Sequence, residues 1–286
     1  MANMVFGRGE GFTKHHQGAA PAGYAGPGYG FQQPGFGQPG QPGPMGYQQP
    51  GYPLGAERQA VPTGDVMTYD DVIAKTGISL GLVFLVAAAV FAFVPIRLSL
   101  PLMIVGALAS FVTVLVVAFR PKVSPVSVAI YALFEGLFIG GVSKYFETLY
   151  PGIVMQAVLA TFVTAAATLA VMKFANIRVS ARFRQMVTIG TFALAGVFLV
   201  NLVFSLLGWN LGIVGVGGNA GMLAIIVSVI AVALAVFNLV MDFDSVRVGV
   251  ENRVPASESW RAALGITVTM VWLYVEILRI LSYFRD

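Results

Sequence analysis

The sequence predicts an all-α, polytopic membrane protein: a seven-transmembrane-helix bundle preceded by a disordered N-terminal tail. Of its 286 residues, 57% are apolar and only 10% are charged. The apolar residues form several uninterrupted runs of bilayer length, and a helix of about 20 apolar residues spans the hydrocarbon core. The chain has no cysteine, which excludes disulfides, thiolate zinc sites and cysteine nucleophiles.

Residues 1–64 form the predicted tail. They contain 16 of the 33 glycines and 9 of the 15 prolines. A segment of this composition buries too little apolar surface to offset its chain entropy, so we expect it to be disordered. Its tyrosines and phenylalanines are compatible with a partner-binding segment or with a solvated tether, and the composition favours the tether. The membrane domain is then residues 65–286.

Proline and capping residues delimit the first four spans, which we place at about 76–95, 99–119, 124–146 and 153–175. Thr68 is suited to cap the first helix, and Asp70 and Asp71 suit the positive end of its dipole. Proline lacks the amide hydrogen that a helix interior needs, so we expect prolines between spans. They are Pro95, Pro101, Pro121, Pro125 and Pro151.

Polar and glycine-rich segments delimit the last three spans, at about 186–208, 220–244 and 260–282. Span five follows a loop rich in arginine. The glycine-rich residues 211–221 separate spans five and six, and they lack the lysine and the preceding strand of a nucleotide loop. Only Pro255 punctuates the turn before span seven.

The distribution of Lys and Arg predicts the orientation in the membrane. With the N-terminus in the cytoplasm, thirteen of the 17 basic residues lie inside, and seven spans leave the C-terminus outside. The formal charge of +4 therefore reflects topology, and we expect the lipid bilayer as a partner but no nucleic acid. The basic residues expected outside are Arg97, Lys144, Arg279 and Arg285.

Carboxylates within the apolar runs are the strongest functional signal. An acidic side chain at membrane depth is costly unless it is paired with a polar or cationic group, protonated or hydrated. We therefore expect acids that the chain keeps at this depth to have a function. Asp242 and Asp244 close span six, Glu276 interrupts span seven, and Glu135 lies near the middle of span three. For Glu135, a structural hydrogen bond and a functional role are equally favoured.

Three interpretations of the acids in spans six and seven are open. The aspartates can end span six in water, or Glu276 can pair with Arg279 three residues later. Alternatively, Asp244 and Glu276 face each other and share a proton, because two close carboxylates resist ionising together. We favour the shared proton, although Glu276 lies deeper than Asp244 when both are counted from the loop between the two spans.

The sequence lacks the residues of common hydrolases. Its only histidines, His15 and His16, lie in the tail, so neither a His-Glu-x-x-His motif nor a histidine-based triad exists in the membrane domain. Two adjacent histidines without partners make a poor metal site. We therefore expect no enzymatic activity and no cofactor.

Four segments carry a resemblance to a known family. They are residues 243–248 (Phe-Asp-Ser-Val-Arg-Val), 273–278 (Leu-Tyr-Val-Glu-Ile-Leu), 118–120 (Ala-Phe-Arg) and 134–140 (Phe-Glu-Gly-Leu-Phe-Ile-Gly). In their order and with seven spans, they resemble the transmembrane Bax-inhibitor-motif family in its bacterial seven-helix branch, over about residues 67–284. The resemblance implies six helices around a central seventh and a location in the plasma membrane.

The resemblance also implies a pH-sensitive calcium leak gated by a carboxylate pair. By position, Asp244 and Glu276 match that pair and are candidate calcium contacts, while Arg120 matches an arginine latch of the closed state. Asp242 and Glu135 are supporting acids. This chain has Glu276 where many relatives have Asp, and the loop between Asp244 and Glu276 is longer than usual, which weakens transfer of the gating geometry.

The leading functional hypothesis is therefore a proton-gated cation leak with calcium as the transported ion. The alternative is a non-transporting regulator that binds a membrane protease or another membrane complex through its helices and tail. A proton-coupled transporter ranks last, because no paired helix breaks indicate an inverted repeat.

Overall fold

The computed structural model describes residues 65–175, 177–209, 211–217 and 220–285. The predicted disorder of the tail, together with His15 and His16, lies outside these residues. The described residues form seven helices, each long and apolar enough to cross a membrane, which confirms the predicted fold class. They are α1 (Tyr69–Phe93), α2 (Ile96–Phe119), α3 (Pro125–Leu149), α4 (Ile153–Phe174), α5 (Ala181–Leu206), α6 (Met222–Glu251) and α7 (Glu258–Tyr283).

Helix α7 is the centre of the bundle. It packs against α1, α3, α4 and α6, and its side chains are buried almost from end to end. Three of the four hydrophobic clusters include α7 residues, among them Ile266, Leu273 and Leu264. The central position of the seventh helix is therefore confirmed.

Small residues bring α1 and α3 into close contact. A Cβ atom built on Gly136 would lie 2.5 Å from the Cβ of Val86, and one on Gly140 would lie 2.6 Å from the Cβ of Val90. Only glycine fits at either position. This four-residue spacing is the usual way in which membrane helices approach each other.

The predicted cap of the first helix is confirmed: α1 begins at Tyr69, and Thr68 accepts a hydrogen bond from the Asp71 amide at 3.2 Å, so the helix starts before the predicted span at residue 76. Other details of the predicted elements are wrong. Helix α6 continues past Asp244 to Glu251. Pro101 lies inside α2, near its start, where the missing amide hydrogen removes a single intrahelical bond.

The two ends of the bundle differ in their loops. We call the end that carries residue 65 and the α2–α3, α4–α5 and α6–α7 loops the proximal end, and the opposite end the distal end. At the proximal end the chain enters alongside the α6–α7 loop: the Met67 amide donates to Val254 O at 2.8 Å, and the Ala256 amide donates to Asp65 O at 2.9 Å. The Met67 side chain is buried in the core beside this loop.

Candidate functional site

A half-open cavity of about 400 Å³ lies between α2, α3, α5 and α7. Most of its wall is apolar, but Glu135, Glu276 and Arg279 also line it. All three belong to spanning segments, where an unpaired charge is costly. We call this space the acid-lined cavity, and its other polar wall residues are Ser110, Tyr131, Thr191 and Thr269.

Glu276 is paired with Arg279 on the same helix. The two residues are three apart and therefore share a face of α7, and Arg279 Nη2 donates a hydrogen bond to Glu276 Oε2. The Arg279 guanidinium also lies over the Phe198 ring of α5, 5.2 Å from the ring centre, in a cation–π contact. The i,i+3 ion pair, one of the three interpretations open from the sequence, is the one observed.

Glu135 occupies the opposite wall of the cavity. Its carboxyl group lies beside the hydroxyl groups of Ser110 on α2 and Tyr131 on α3. Tyr131 is buried and packs in the cluster that joins α2, α3 and α7. Glu135 therefore has hydroxyl neighbours that suit a structural role, and a position on the cavity wall that suits a functional one.

Asp242, not Asp244, is the acid of α6 that contacts α7. Asp242 Oδ2 accepts a hydrogen bond of 2.6 Å from Thr269 Oγ1, and Thr269 lines the cavity. One turn earlier on α6, Asn238 Nδ2 donates to Thr191 Oγ1 of α5 at 2.8 Å, and Thr191 also lines the cavity. Asp242 and Asn238 thus lie directly behind two polar groups of the cavity wall.

Asp244 lies in a different cluster at the proximal end. Its Oδ1 accepts a hydrogen bond of 2.9 Å from Arg247 Nη2, and its Oδ2 accepts one of 3.2 Å from Arg184 Nη2 of α5. Arg247 Nη1 donates to Ile177 O at 2.9 Å, and the Val179 amide lies 3.5 Å from Asp244 Oδ1. We call these five residues the Asp244 latch, because they join α6 to α5 and to the α4–α5 loop.

The predicted contact between Asp244 and Glu276 is therefore wrong for this conformation. Thr269 of α7 meets Asp242 of α6 and marks where the antiparallel helices are level. From that level, Asp244 lies two residues towards the proximal end and Glu276 lies seven residues towards the distal end. At 1.5 Å per residue, the two acids are about 14 Å apart along the bundle. Their gating roles stay predictions.

Arg120, the predicted latch residue, has an exposed side chain at the end of α2. The arginine buried at this place is Arg261 of α7, whose side chain is 0% exposed. Arg261 Nη2 donates to the carbonyl oxygens of Arg120 and Pro121 at 3.0 and 2.8 Å, and its Nε donates to Glu258 Oε2 at 2.8 Å. Arg261 thus fastens the central helix to the α2–α3 loop.

Several residues of these clusters were not predicted as site residues. From the sequence, Arg184, Arg247 and Arg261 contribute only to the excess of basic residues that predicts the orientation in the membrane. The i,i+3 spacing of Asp244 and Arg247 was the available signal for one ion pair. Asn238, four residues before Asp242, carried the same kind of signal, since residues four apart share a helix face.

Within the described parts of the chain, no three His, Cys, Asp or Glu side chains are grouped as a metal site requires. The candidate calcium contacts Asp244 and Glu276 both accept hydrogen bonds from arginine instead. A cation that contacts either carboxylate must therefore displace a guanidinium.

Comparison with known proteins identifies the family. The family model described as Bax inhibitor 1 like matches residues 4–286, which is nearly the whole chain. None of the curated proteins matches the chain. With seven spanning helices and a family model that covers almost all of the sequence, the chain belongs to the Bax inhibitor 1 like family.

Proposed function

We propose that this protein is a proton-responsive cation leak, with calcium as the candidate ion and the acid-lined cavity as part of its route. The observation that carries this proposal is the presence of two carboxylates, Glu135 and Glu276, on opposite walls of one cavity in the membrane domain. Acids retained at membrane depth mark ion or proton pathways. Oxygen ligands suit calcium better than softer metals.

We propose that the described conformation is a closed state. Arg279 neutralises Glu276, so the cavity offers no free carboxylate on α7 to an entering cation. At the proximal end, the Asp244 latch holds α5 and the α4–α5 loop against α6. We propose that opening requires release of these contacts.

In this proposal, the Asp244 latch determines whether acidification opens or closes the path. The ionised form of Asp244 accepts hydrogen bonds from two guanidinium groups, and the protonated form loses the negative charge that holds them. Acidification of the proximal side is therefore expected to favour opening. This sign is opposite to that of a shared proton between Asp244 and Glu276, in which loss of the proton would open the path.

We further propose a plasma-membrane protein without enzymatic activity, with its N-terminus and proximal end in the cytoplasm. The orientation is supported by the excess of Lys and Arg at the proximal end, which includes the three arginines Arg184, Arg247 and Arg261. The latch would then respond to cytoplasmic pH.

Calcium flux into proteoliposomes that contain the purified full chain tests the route. In Glu276→Gln the cavity keeps the Arg279 charge without its partner, so we expect flux to fall about tenfold, the effect of about 1.4 kcal/mol on a barrier. In Arg279→Gln the Glu276 carboxylate becomes free, so we expect flux to rise by a similar factor.

Because calcium flux is expected to fall in one variant and to rise in the other, each variant is a control for the other. Loss of fold would lower flux in both, and circular dichroism with a monodisperse elution profile checks for it. The exposed acid Asp70 supplies a further control, since Asp70→Asn lies outside the cavity and should match the wild type. Equal flux in all four proteins, or equal loss in the two cavity variants, would contradict the proposed route.

The alternative function, a non-transporting regulator, receives support from one feature. The chain enters the membrane domain paired with the α6–α7 loop, so a partner bound to the tail would act on the two helices that carry Asp244 and Glu276. Deletion of residues 1–64 discriminates the two functions in the same assay. A leak survives the deletion, whereas a tail-mediated partner function is lost with it.

A further inference from the structure

Two buried oxygen atoms on α6 lack a donor. Asp242 and Asn238 are 0% and 1% exposed, and neither Asp242 Oδ1 nor Asn238 Oδ1 has a hydrogen-bond partner among the described residues. The amide orientation of Asn238 is fixed, because its Nδ2 donates to Leu234 O at 2.8 Å and a carbonyl oxygen can only accept. Its Oδ1 therefore points away from that bond as a free acceptor.

Asp242 also lacks a cationic side chain within ion-pair distance in the described part of the chain. The nearest candidate, Arg184, donates instead to Asp244 Oδ2 and to Ser245 Oγ. The hydrogen bond that Asp242 accepts from the Thr269 hydroxyl leaves the charge of the Asp242 carboxylate uncompensated. A buried carboxylate in this position is costly unless a proton or a cation neutralises it.

Four oxygen-bearing groups from three helices are joined in two hydrogen-bonded pairs in this part of the bundle. Asn238 and Asp242 lie one turn apart on the face of α6 that meets α5 and α7. Thr191 of α5 bonds to Asn238, and Thr269 of α7 bonds to Asp242. Each threonine hydroxyl keeps a lone pair beyond the hydrogen bond it makes, so all four groups can still offer an oxygen.

The charge of the cluster selects the ion. One carboxylate neutralises a monovalent cation, whereas a divalent cation would leave a net positive charge in the interior of the bundle. Ligands made only of carboxylate, amide and hydroxyl oxygen suit hard cations. We propose that Asn238, Asp242, Thr191 and Thr269 form a binding site for a monovalent alkali cation, with sodium as the probe.

The site has access to the acid-lined cavity, because Thr191 and Thr269 belong to the cavity wall. A bound cation ties α5, α6 and α7 together through side chains that are otherwise held by single hydrogen bonds. The inference does not rest on the proposed calcium leak, since a protein that transports nothing would bind the ion equally well.

The test is thermal unfolding of the purified full chain in detergent, in sodium chloride and in choline chloride of equal ionic strength and pH. Binding to the folded state raises Tm in a saturable way as sodium increases. We expect this dependence in the wild type, and its loss in Asp242→Asn. Ser228→Ala is the matched control: Ser228 is buried on the same helix, bonds to Tyr283 at 2.8 Å, and lies away from the site.

A milder variant and a direct measurement guard against misfolding of Asp242→Asn. Thr269→Val removes the hydroxyl that orients Asp242, and we expect the sodium concentration at half-effect to rise about tenfold. Equilibrium binding of radioactive sodium to the wild type should saturate and should be competed by excess unlabelled sodium. A wild-type Tm that is equal in the two salts, or saturable sodium binding that persists unchanged in Asp242→Asn, overturns the proposal. If a proton instead of a cation neutralised Asp242, the wild-type Tm would be equal in the two salts.

Discussion

The four buried carboxylates among the described residues differ in the number and kind of their partners. Asp244 accepts from two arginines, Glu276 from one, and Asp242 from a threonine hydroxyl, while Glu135 lies beside two hydroxyl groups. These differences matter because a guanidinium supplies a counter-charge to a carboxylate, whereas a hydroxyl supplies a hydrogen bond without one. The proposals above accordingly give three of these acids separate roles: Asp244 in an end latch, Glu276 in an internal ion pair and Asp242 in a candidate cation site.

Arg261 provides a prediction at this scale. Arg261→Met removes a fully buried guanidinium that serves Glu258 and the carbonyl oxygens of Arg120 and Pro121. Removal of one partner of a buried pair leaves the others unsatisfied, so we expect a loss of about 3 kcal/mol in the free energy of unfolding. The nearby exposed Lys122 is the control, and Lys122→Met should change it by less than about 0.5 kcal/mol.

Chemical denaturation in detergent, followed by tryptophan fluorescence, measures both variants. A loss in Arg261→Met no larger than that in Lys122→Met would show that the contacts of Arg261 with the α2–α3 loop contribute nothing to stability.

The sequence identified the buried acids, and it offered one of their observed partners, Arg279, as an open interpretation. Asp242, Asp244, Glu276 and Glu135 stand out because a charge in an apolar run is visible without a structure. Which group neutralises each acid depends on helix rotation and register, and neither is encoded in one short segment. The i,i+3 pair of Glu276 and Arg279 was foreseeable because both residues lie on one helix, whereas Arg184 reaches Asp244 from another.

At the scale of elements, a polar contact and a short loop join α6 to α7. Asp242 meets Thr269 in the middle of the interface, and the proximal ends are joined by a short loop of residues 252–257. The segment that precedes α1 pairs with this loop, and Lys75 Nζ donates to Ala256 O at 3.1 Å. These hydrogen bonds therefore join the α6–α7 loop to α1.

The α1–α3 contact provides a prediction at this scale. In Gly136→Ala, the new Cβ would lie 2.5 Å from the Cβ of Val86, so α1 and α3 must separate. Overpacking of this kind costs about 1–3 kcal/mol. Gly81 is the control, because a Cβ there meets nothing within 4 Å, and Gly81→Ala should leave stability unchanged or slightly raise it.

Thermal unfolding of both variants in the same detergent compares them. The expected order of Tm is Gly136→Ala below the wild type and Gly81→Ala at or above it. An equal Tm for the two variants would contradict the close approach of α1 and α3.

Hydropathy predicted the number and order of the helices because each span needs about 20 apolar residues, and this requirement is local. The ends of the helices were harder to predict. The first turn of α1 contains Asp70 and Asp71, and the last turns of α6 contain Arg247 and Glu251. These turns are stabilised by a cap and by ion pairs within each helix, which a hydropathy profile does not register.

At the scale of the whole molecule, the polar groups form a series along the bundle. The Asp244 latch occupies the proximal end, Asp242 and Asn238 lie behind the cavity wall, and the pair of Glu276 and Arg279 lies nearer the distal end. Thr191 and Thr269, which bond to Asn238 and Asp242, line the acid-lined cavity together with Glu276 and Arg279. In the proposed closed state, the latch holds α5 and the α4–α5 loop against α6.

The pH dependence of calcium flux through proteoliposomes, compared between the wild type and Asp244→Asn, tests this account most directly. We expect wild-type flux to rise on acidification of the proximal side. Asp244→Asn lacks the charge that holds Arg184 and Arg247, so its flux should be about tenfold higher at neutral pH and nearly independent of pH. A variant with wild-type flux and an unchanged pH profile would contradict the role of the Asp244 latch as the gate.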